Sequence, residues 1–277
     1  MPENTLPAFA AALALGAHEI EFDVRLTKDY QLIVSHDGTL ERISNGFGQL
    51  CDFTLEDLKK LNIGIKHGWH VSFCTASEVF EHFANKLTFN IHLKEHGENG
   101  YLIRELLRLA EKYNACDHVY FAGSPSELEW MEKIAPQISR VAIQLPRDDL
   151  GIFEMAKKYH CAGVQFWHGL FDAELIRKCH DENIFCNVYF GDTAEDFEKY
   201  FDMGIDTILT NRMDLAADFM RQACYREDSA KTGKRIISTC FPVISIQMSI
   251  RSPGWRTRIS PSRSNHSSML LPLVPSN

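Results

Sequence analysis

The chain has 277 residues, 45% of them hydrophobic and 24% charged, with a formal net charge of −8. That composition suits a soluble globular domain with a sizeable core, and the acidic balance argues against a nucleic-acid-binding protein. An anionic substrate would therefore need local cations, a metal among them, to hold it. In chain order, Asn4 and Thr5 can cap a first helix, with Pro7 in its first turn and Gly16 at its end. Short apolar runs predict strands over residues 19–24, 32–35, 87–93, 118–122, 140–145, 163–167, 185–190 and 206–210. Helical patterns over 101–113, 127–134, 152–159, 173–183 and 194–203 fall between them as crossovers. This alternation predicts an α/β fold, a closed (β/α)8 barrel in preference to an open sheet. The link from Val24 to Leu32 is too short for a helical crossover and marks one irregular corner.

Two segments break the pattern. Residues 39–74 carry no βα unit and read as an insertion at the barrel mouth, where such segments shape substrate pockets. The barrel domain is expected over residues 1–222. From residue 225 to 277 Ser, Arg and Pro become frequent, and eight Lys or Arg face only Glu227 and Asp228. This segment reads as a disordered basic tail, or as a basic arm for a membrane or nucleic acid. The eight cysteines show no paired spacing and read as free thiols of a reducing compartment, so the expected location is cytoplasmic. The apolar run over 8–17 falls well short of the roughly 20 residues that span a bilayer, so no transmembrane segment is expected.

The densest chemistry lies in IEFDVRLTKDYQLIVSHDGTLERISNG, Ile20 to Gly46. Strand alternation sends Glu21 and Asp23 to one face and Ile20, Phe22 and Val24 to the other. Two adjacent acids repel, so one pKa rises or a hard divalent cation joins them. The plainer alternative is two acids on a solvated strand face.

The blocks PENTLPAFAAALALGA, IEFDV, LTKDYQLIVSHD and LERISNG, followed by FNIHLK, NVYFGD and MGIDTILTNR, resemble the glycerophosphodiester phosphodiesterase family in order and spacing, over residues 2–222. The resemblance implies a TIM barrel of the phospholipase C-like phosphodiesterase type. It also implies hydrolysis of glycerophosphodiesters to sn-glycerol 3-phosphate and an alcohol, with one divalent metal ion and a small-molecule substrate. Glu21 and Asp23 match two metal ligands of the family, and His92 stands where the third is usually Glu. Imidazole in that place favours Mg²⁺, Mn²⁺ or Zn²⁺ over Ca²⁺, unless His92 is merely a core histidine. His36 matches a catalytic acid/base. Arg42 and Lys94 match phosphate-facing cations, Glu3 and Asn4 lie in the block beside the site, and Tyr189 takes the place of a pocket aromatic near the glycerol. For Asn4 a helix cap, and for Tyr189 core packing, are the competing expectations.

The chain departs from the family where Met1 precedes Pro2, because a strand ending in His-Arg-Gly is expected there. On that reading the first barrel strand and a second catalytic His are missing, the neighbouring strand edge is exposed, and activity is weak or absent. The pair Asn211 and Arg212 stands where the family usually ends its last strand with Thr-Asp, so Asn211 departs from that pattern. Two further readings remain open: a lysophospholipase D-like enzyme that releases a cyclic phosphate, with Phe47, Trp69 and Phe73 as an apolar pocket, and a non-catalytic phosphate-binding relative.

Overall fold

The computed structural model describes residues 1–145, 151–230 and 243–246. Helix α1 (Leu6–Ala14) is capped by Thr5, whose hydroxyl accepts from the Ala8 amide at 3.4 Å. Asn4 does not cap the helix. Its backbone lies at φ 54°, and its side chain turns instead to the strand that follows. That strand, β1 (Glu19–Leu26), pairs antiparallel with β2 (Leu32–Val34), so the irregular corner is a hairpin with Val24 opposite Val34. The chain continues through α2 (Leu55–Lys59), α3 (Ala76–Phe83), β3 (Thr88–Leu93), α4 (Tyr101–Lys112), β4 (Val119–Gly123), α5 (Pro125–Ile134), β5 (Ser139–Ile143) and α6 (Ile152–Lys158). It then forms β6 (Gly163–Trp167), α7 (Ala173–Asp181), β7 (Phe185–Tyr189), α8 (Ala194–Asp202), β8 (Thr207–Thr210), α9 (Met213–Ala230) and β9 (Val243–Ile246).

The sheet has nine strands in the order β2-β1-β3-β4-β5-β6-β7-β8-β9, and β9 pairs back onto β1. With the β2 hairpin set aside, the remaining strands form a closed ring of parallel neighbours, the topology of a (β/α)8 barrel. The edge expected to lie open beside β1 is therefore covered. Ser245 and Ile246 of β9 stand opposite Glu19 and Ile20, and its other side pairs with β8. The backbone groups of an unpaired strand are costly and prone to stray pairing, and the run Val-Ile-Ser-Ile, three of its four residues β-branched, suits that position. Of the segment expected to be a disordered tail, the structure thus places the end of α9 and the four residues of β9. The rest of that segment lies outside the described residues.

Alternation along β1 sorts the side chains as expected. Phe22 points into the helical layer, 5.9 Å from Phe9 of α1 and 5.6 Å from Phe89 of β3 between ring centroids, and Phe80 of α3 packs 4.9 Å from Phe89. Burying such rings contributes on the order of 2–3 kcal/mol each. Glu21 and Asp23 face the other way, into the barrel.

The insertion holds a small core of its own. Leu40, Leu50, Leu58, Ile63 and Phe73 cluster with Ile33 of β2, apart from the main core. Lys59 of α2 joins this unit to α3 through Glu78 at 2.7 Å, and the same Glu78 forms a capping box with Thr75. Among the described residues, no helix is long and apolar enough to cross a membrane.

Candidate active site

The parallel register of β1 and β3 sets Asp23 beside His92 and Glu21 beside Asn90. Three titratable side chains thereby converge inside the C-terminal half of the barrel: Glu21, Asp23 and His92, exposed by only 1%, 0% and 4%. Glu21 Oε1 lies 2.9 Å from His92 Nδ1, which is 3.9 Å from Asp23 Oδ1. Lys94, one residue past β3, brings Nζ to 2.9 Å from Asp23 Oδ1. Asn4 holds the other Asp23 oxygen, donating from Nδ2 to Oδ2 at 2.9 Å and accepting the Asp23 amide at 3.2 Å.

Burial pushes the Glu21 carboxyl above the usual carboxylate range; His92 pulls against this and the Asp23 charge adds to it. Burial opposes charge on Asp23 too, but Lys94, His36 and His92 outweigh it and hold that carboxyl well below its ordinary value. Despite the nearby nitrogens, Glu21 Oε1 and Asp23 Oδ1 make no hydrogen bond of ordinary geometry. Two buried oxygens short of partners, on neighbouring inward-facing side chains, suit a divalent cation. The potential ligand atoms of Glu21, Asp23 and His92 all lie within 4.8 Å of one another, so this group can hold a metal ion.

Whether His92 can be a ligand depends on three amides behind it. Gln165 Oε1 accepts from Asn90 at 3.1 Å and Asn187 at 2.7 Å, while its Nε2 lies 2.9 Å from His92 Nε2. In that orientation a neutral imidazole accepts at Nε2 and carries its proton on Nδ1, the nitrogen that lies toward Glu21 without an aligned hydrogen bond. Turning the three amides over exchanges donors for acceptors at unchanged positions. Gln165 then accepts from His92 Nε2–H, and Nδ1 becomes free to bind a metal. The sequence pointed to none of these amides. They sit on three strands, 75 residues from Asn90 to Gln165 and a further 22 to Asn187, and meet only because the ring closes.

His36 follows β2 by two residues. Its Nδ1 is hydrogen-bonded to Asp37 Oδ1 at 2.8 Å, and its carbonyl accepts from Arg25 Nη2 at 2.8 Å. The imidazole is oriented by Asp37, which leaves Nε2 for exchange with a substrate. Asp37 in turn accepts from Arg42, and Arg42 forks onto Glu3 at 2.8 and 2.6 Å. Burial opposes charge on Asp37, but hydrogen bonds from Arg42 and His36 bring its carboxyl below the ordinary range. Glu3, Asn4, His36 and Arg42 line one cleft together with Lys66 and His67 of the insertion. His67 was not foreseen here. Its place depends on how the insertion folds back, which strand periodicity does not encode.

Tyr189 lies elsewhere on the rim. Its ring meets Trp167 edge-on at 5.1 Å, its hydroxyl donates to the Gln144 carbonyl, and it is 7% exposed. Of the three insertion aromatics, Phe73 lines the cleft and is 1% exposed, whereas Phe47 is 79% and Trp69 45% exposed. Asn211 donates to Asp192 Oδ2 at 3.0 Å, a contact that an Asp at this position could not make without placing two carboxylates together.

A closed parallel barrel with an acid–imidazole cluster among its strands, and a histidine and cations at the mouth, defines an α/β barrel of the hydrolase type. The chain belongs to the glycerophosphoryl diester phosphodiesterase family, whose model matches residues 1–215. It is 31% identical over 232 residues to a glycerophosphodiester phosphodiesterase of Caldanaerobacter subterraneus, across 80% of this chain and 93% of the relative. In structure it resembles a phosphodiesterase of Oleispira antarctica solved in complex with the product sn-glycerol 3-phosphate, with a TM-score of 0.68, 21% identity, and coverage of 74% of this chain and 85% of that one. A glycerophosphodiester phosphodiesterase of Agrobacterium tumefaciens superposes with a TM-score of 0.67 at 23% identity, over 78% of this chain and 94% of the other. These two likenesses establish the fold.

Proposed function

We propose that this protein hydrolyses glycerophosphodiesters to sn-glycerol 3-phosphate and an alcohol, using one divalent metal ion held by Glu21, Asp23 and His92. The observation that carries the reading is the pair of buried, under-coordinated carboxylate oxygens beside His92 at the barrel mouth. Family membership and the product bound to the Oleispira neighbour support it. When bound, the metal neutralises charge on the phosphoryl oxygens. With two carboxylates and one imidazole, Mg²⁺ or Mn²⁺ fits this set better than Ca²⁺, which prefers more oxygen ligands, and Zn²⁺ also fits.

The remaining work falls to the chain's own groups. Asn4 fixes Asp23 from two sides, so that carboxylate is set before substrate arrives. Lys94 offsets the Asp23 charge and presents its remaining donors to a phosphate. His36, with Nδ1 turned to Asp37, moves a proton at Nε2. Arg42 is shared between Glu3 and Asp37, so it shapes the cleft wall while facing the substrate. Tyr189 closes the far rim, where the glycerol or alcohol portion would lie. The free thiols of Cys51, Cys74, Cys116, Cys161, Cys179 and Cys186 support a reducing compartment, the cytoplasm.

The test is release of sn-glycerol 3-phosphate from glycerophosphocholine with Mg²⁺, Mn²⁺, Ca²⁺, Zn²⁺ or EDTA. Metal-dependent turnover is expected, lost in Glu21→Gln. A folded, metal-loaded chain that turns over no glycerophosphodiester would overturn the reading, and a cyclic phosphate as the final product would move it to the lysophospholipase D-like reaction.

A further inference from the structure

A second cluster lies at the opposite end of the barrel and takes no part in the proposed hydrolysis. Cys179 and His180 occupy the last turn of α7, Cys186 is the second residue of β7, and Asp206 immediately precedes β8. The backbone fixes all of these positions. Asn183, at φ 60°, reverses the chain after α7, and the Ile184 amide returns to the Cys179 carbonyl at 2.9 Å. Gly204, at φ 86°, turns the chain out of α8 toward β8. Asp206 and Cys186 clamp each other across the strands: the Asp206 amide donates to the Cys186 carbonyl at 2.9 Å, and the Cys186 amide donates to Asp206 Oδ2 at 2.7 Å.

His180 Nε2 meets the same Asp206 oxygen at 2.6 Å. The atoms that His180, Cys186 and Asp206 could offer a metal all lie within 4.8 Å of one another. The Cys186 thiol makes only long contacts with the carbonyls of Ile176 and Ile184 among the described residues, both at 3.9 Å, and it neighbours the Cys179 thiol. Both cysteines are fully buried, while the His180 side chain is 19% and that of Asp206 10% exposed, which leaves an approach from the His180 side.

We propose that His180, Cys186 and Asp206, with Cys179 beside them, form a second metal site that takes a zinc-class divalent transition ion. One imidazole, one carboxylate and one or two thiols are borderline-to-soft donors that select Zn²⁺ or Co²⁺ over Mg²⁺ or Ca²⁺. On binding, Cys186 releases its thiol proton to solvent and its sulfur bonds the metal. The proton between His180 and Asp206 passes to His180 Nδ1, so that Nε2 ligates as neutral imidazole. Thiolate and carboxylate then balance the two positive charges of the ion. Such a site would tie the end of α7 to the starts of β7 and β8 and act on stability, not on the reaction.

The experiment is anaerobic titration of the reduced full chain with Co²⁺, read by thiolate-to-cobalt charge-transfer absorption. The Glu21 cluster contains no sulfur and cannot produce that band, so the result is independent of the hydrolytic reading. One equivalent per chain is expected, bleached by Zn²⁺, retained in Glu21→Gln and abolished in Cys186→Ser. His180→Gln, a change at a partly exposed position, should keep the fold and weaken cobalt binding by more than about tenfold. Absence of the band in folded wild-type protein, its persistence in Cys186→Ser, or unchanged affinity in His180→Gln would each overturn the proposal.

Discussion

Each end of the barrel sets a histidine against a buried carboxylate, yet the two pairs are finished differently. At the mouth, Glu21 and Asp23 share one site, and two of their oxygens lack aligned donors. At the base, Asp206 accepts from both His180 and the Cys186 amide, and it is the thiols that lack strong partners. Under the two proposals, the oxygen-rich end would take a cation that must also meet a phosphate, and the sulfur-containing end an ion that would stay. The same contrast separates a strained site from a settled one. A carboxyl pushed above its usual range, as that of Glu21 is, costs stability at neutral pH.

The largest test of that contrast is Glu21→Gln. It should remove metal-dependent turnover by more than the roughly 10⁴-fold upper range for a lost acid–base group. Measured in EDTA, its melting temperature should equal or exceed that of wild type, because a buried charge has gone. A lower melting temperature would show that Glu21 is settled by its neighbours after all. Next, His36→Gln should lower kcat by about 10²- to 10⁴-fold while metal affinity, followed by calorimetry, stays unchanged. Phe73→Ala should cost about 3–5 kcal/mol locally, loosening the insertion and raising KM, as denaturant titration and kinetics would report.

A smaller effect is expected at Asp37, whose carboxyl is held below its unfolded value. Its contribution is complete above the unfolded pKa, near 4, and fades as pH falls through the lower folded value. Asp37→Asn should therefore cost about 1–2 kcal/mol at pH 7 and progressively less as pH falls below the unfolded value. An equal penalty on both sides of that value would refute the charge-based account. The smallest effect belongs to Cys186→Ser, which should leave kcat/KM for glycerophosphocholine unchanged while altering only the response of stability to Zn²⁺.

Much of this was legible in the sequence because barrels repeat. Each predicted strand appears within two residues of its expected limits, since apolar runs and crossover helices alternate with a fixed rhythm. That Glu21 and Asp23 share one face followed from strand alternation alone; that this face turns inward did not. Continued past β2, the same alternation would turn Asp37 away from His36. Both residues lie beyond the end of β2, where alternation no longer applies, and the two side chains touch. The amides of Asn90, Gln165 and Asn187 and the cluster of His180, Cys186 and Asp206 were silent for another reason. Their members belong to different strands and helices, and only the closed ring brings them together. β9 was hidden by composition, four β-branched or small residues inside a segment dominated by Ser, Arg and Pro.

The separate core of the insertion bears on how the protein comes apart. A unit resting on six buried apolar side chains, joined to α3 by one ion pair, should open well before the barrel does. Backbone amides of residues 39–74 would then exchange with solvent ahead of those in β1 and β3. On gentle heating, the cleft would lose the wall that carries Lys66 and His67 while Asp23 and His92 stayed in register. Inactivation would set in below the temperature at which the barrel melts, and cooling would restore it.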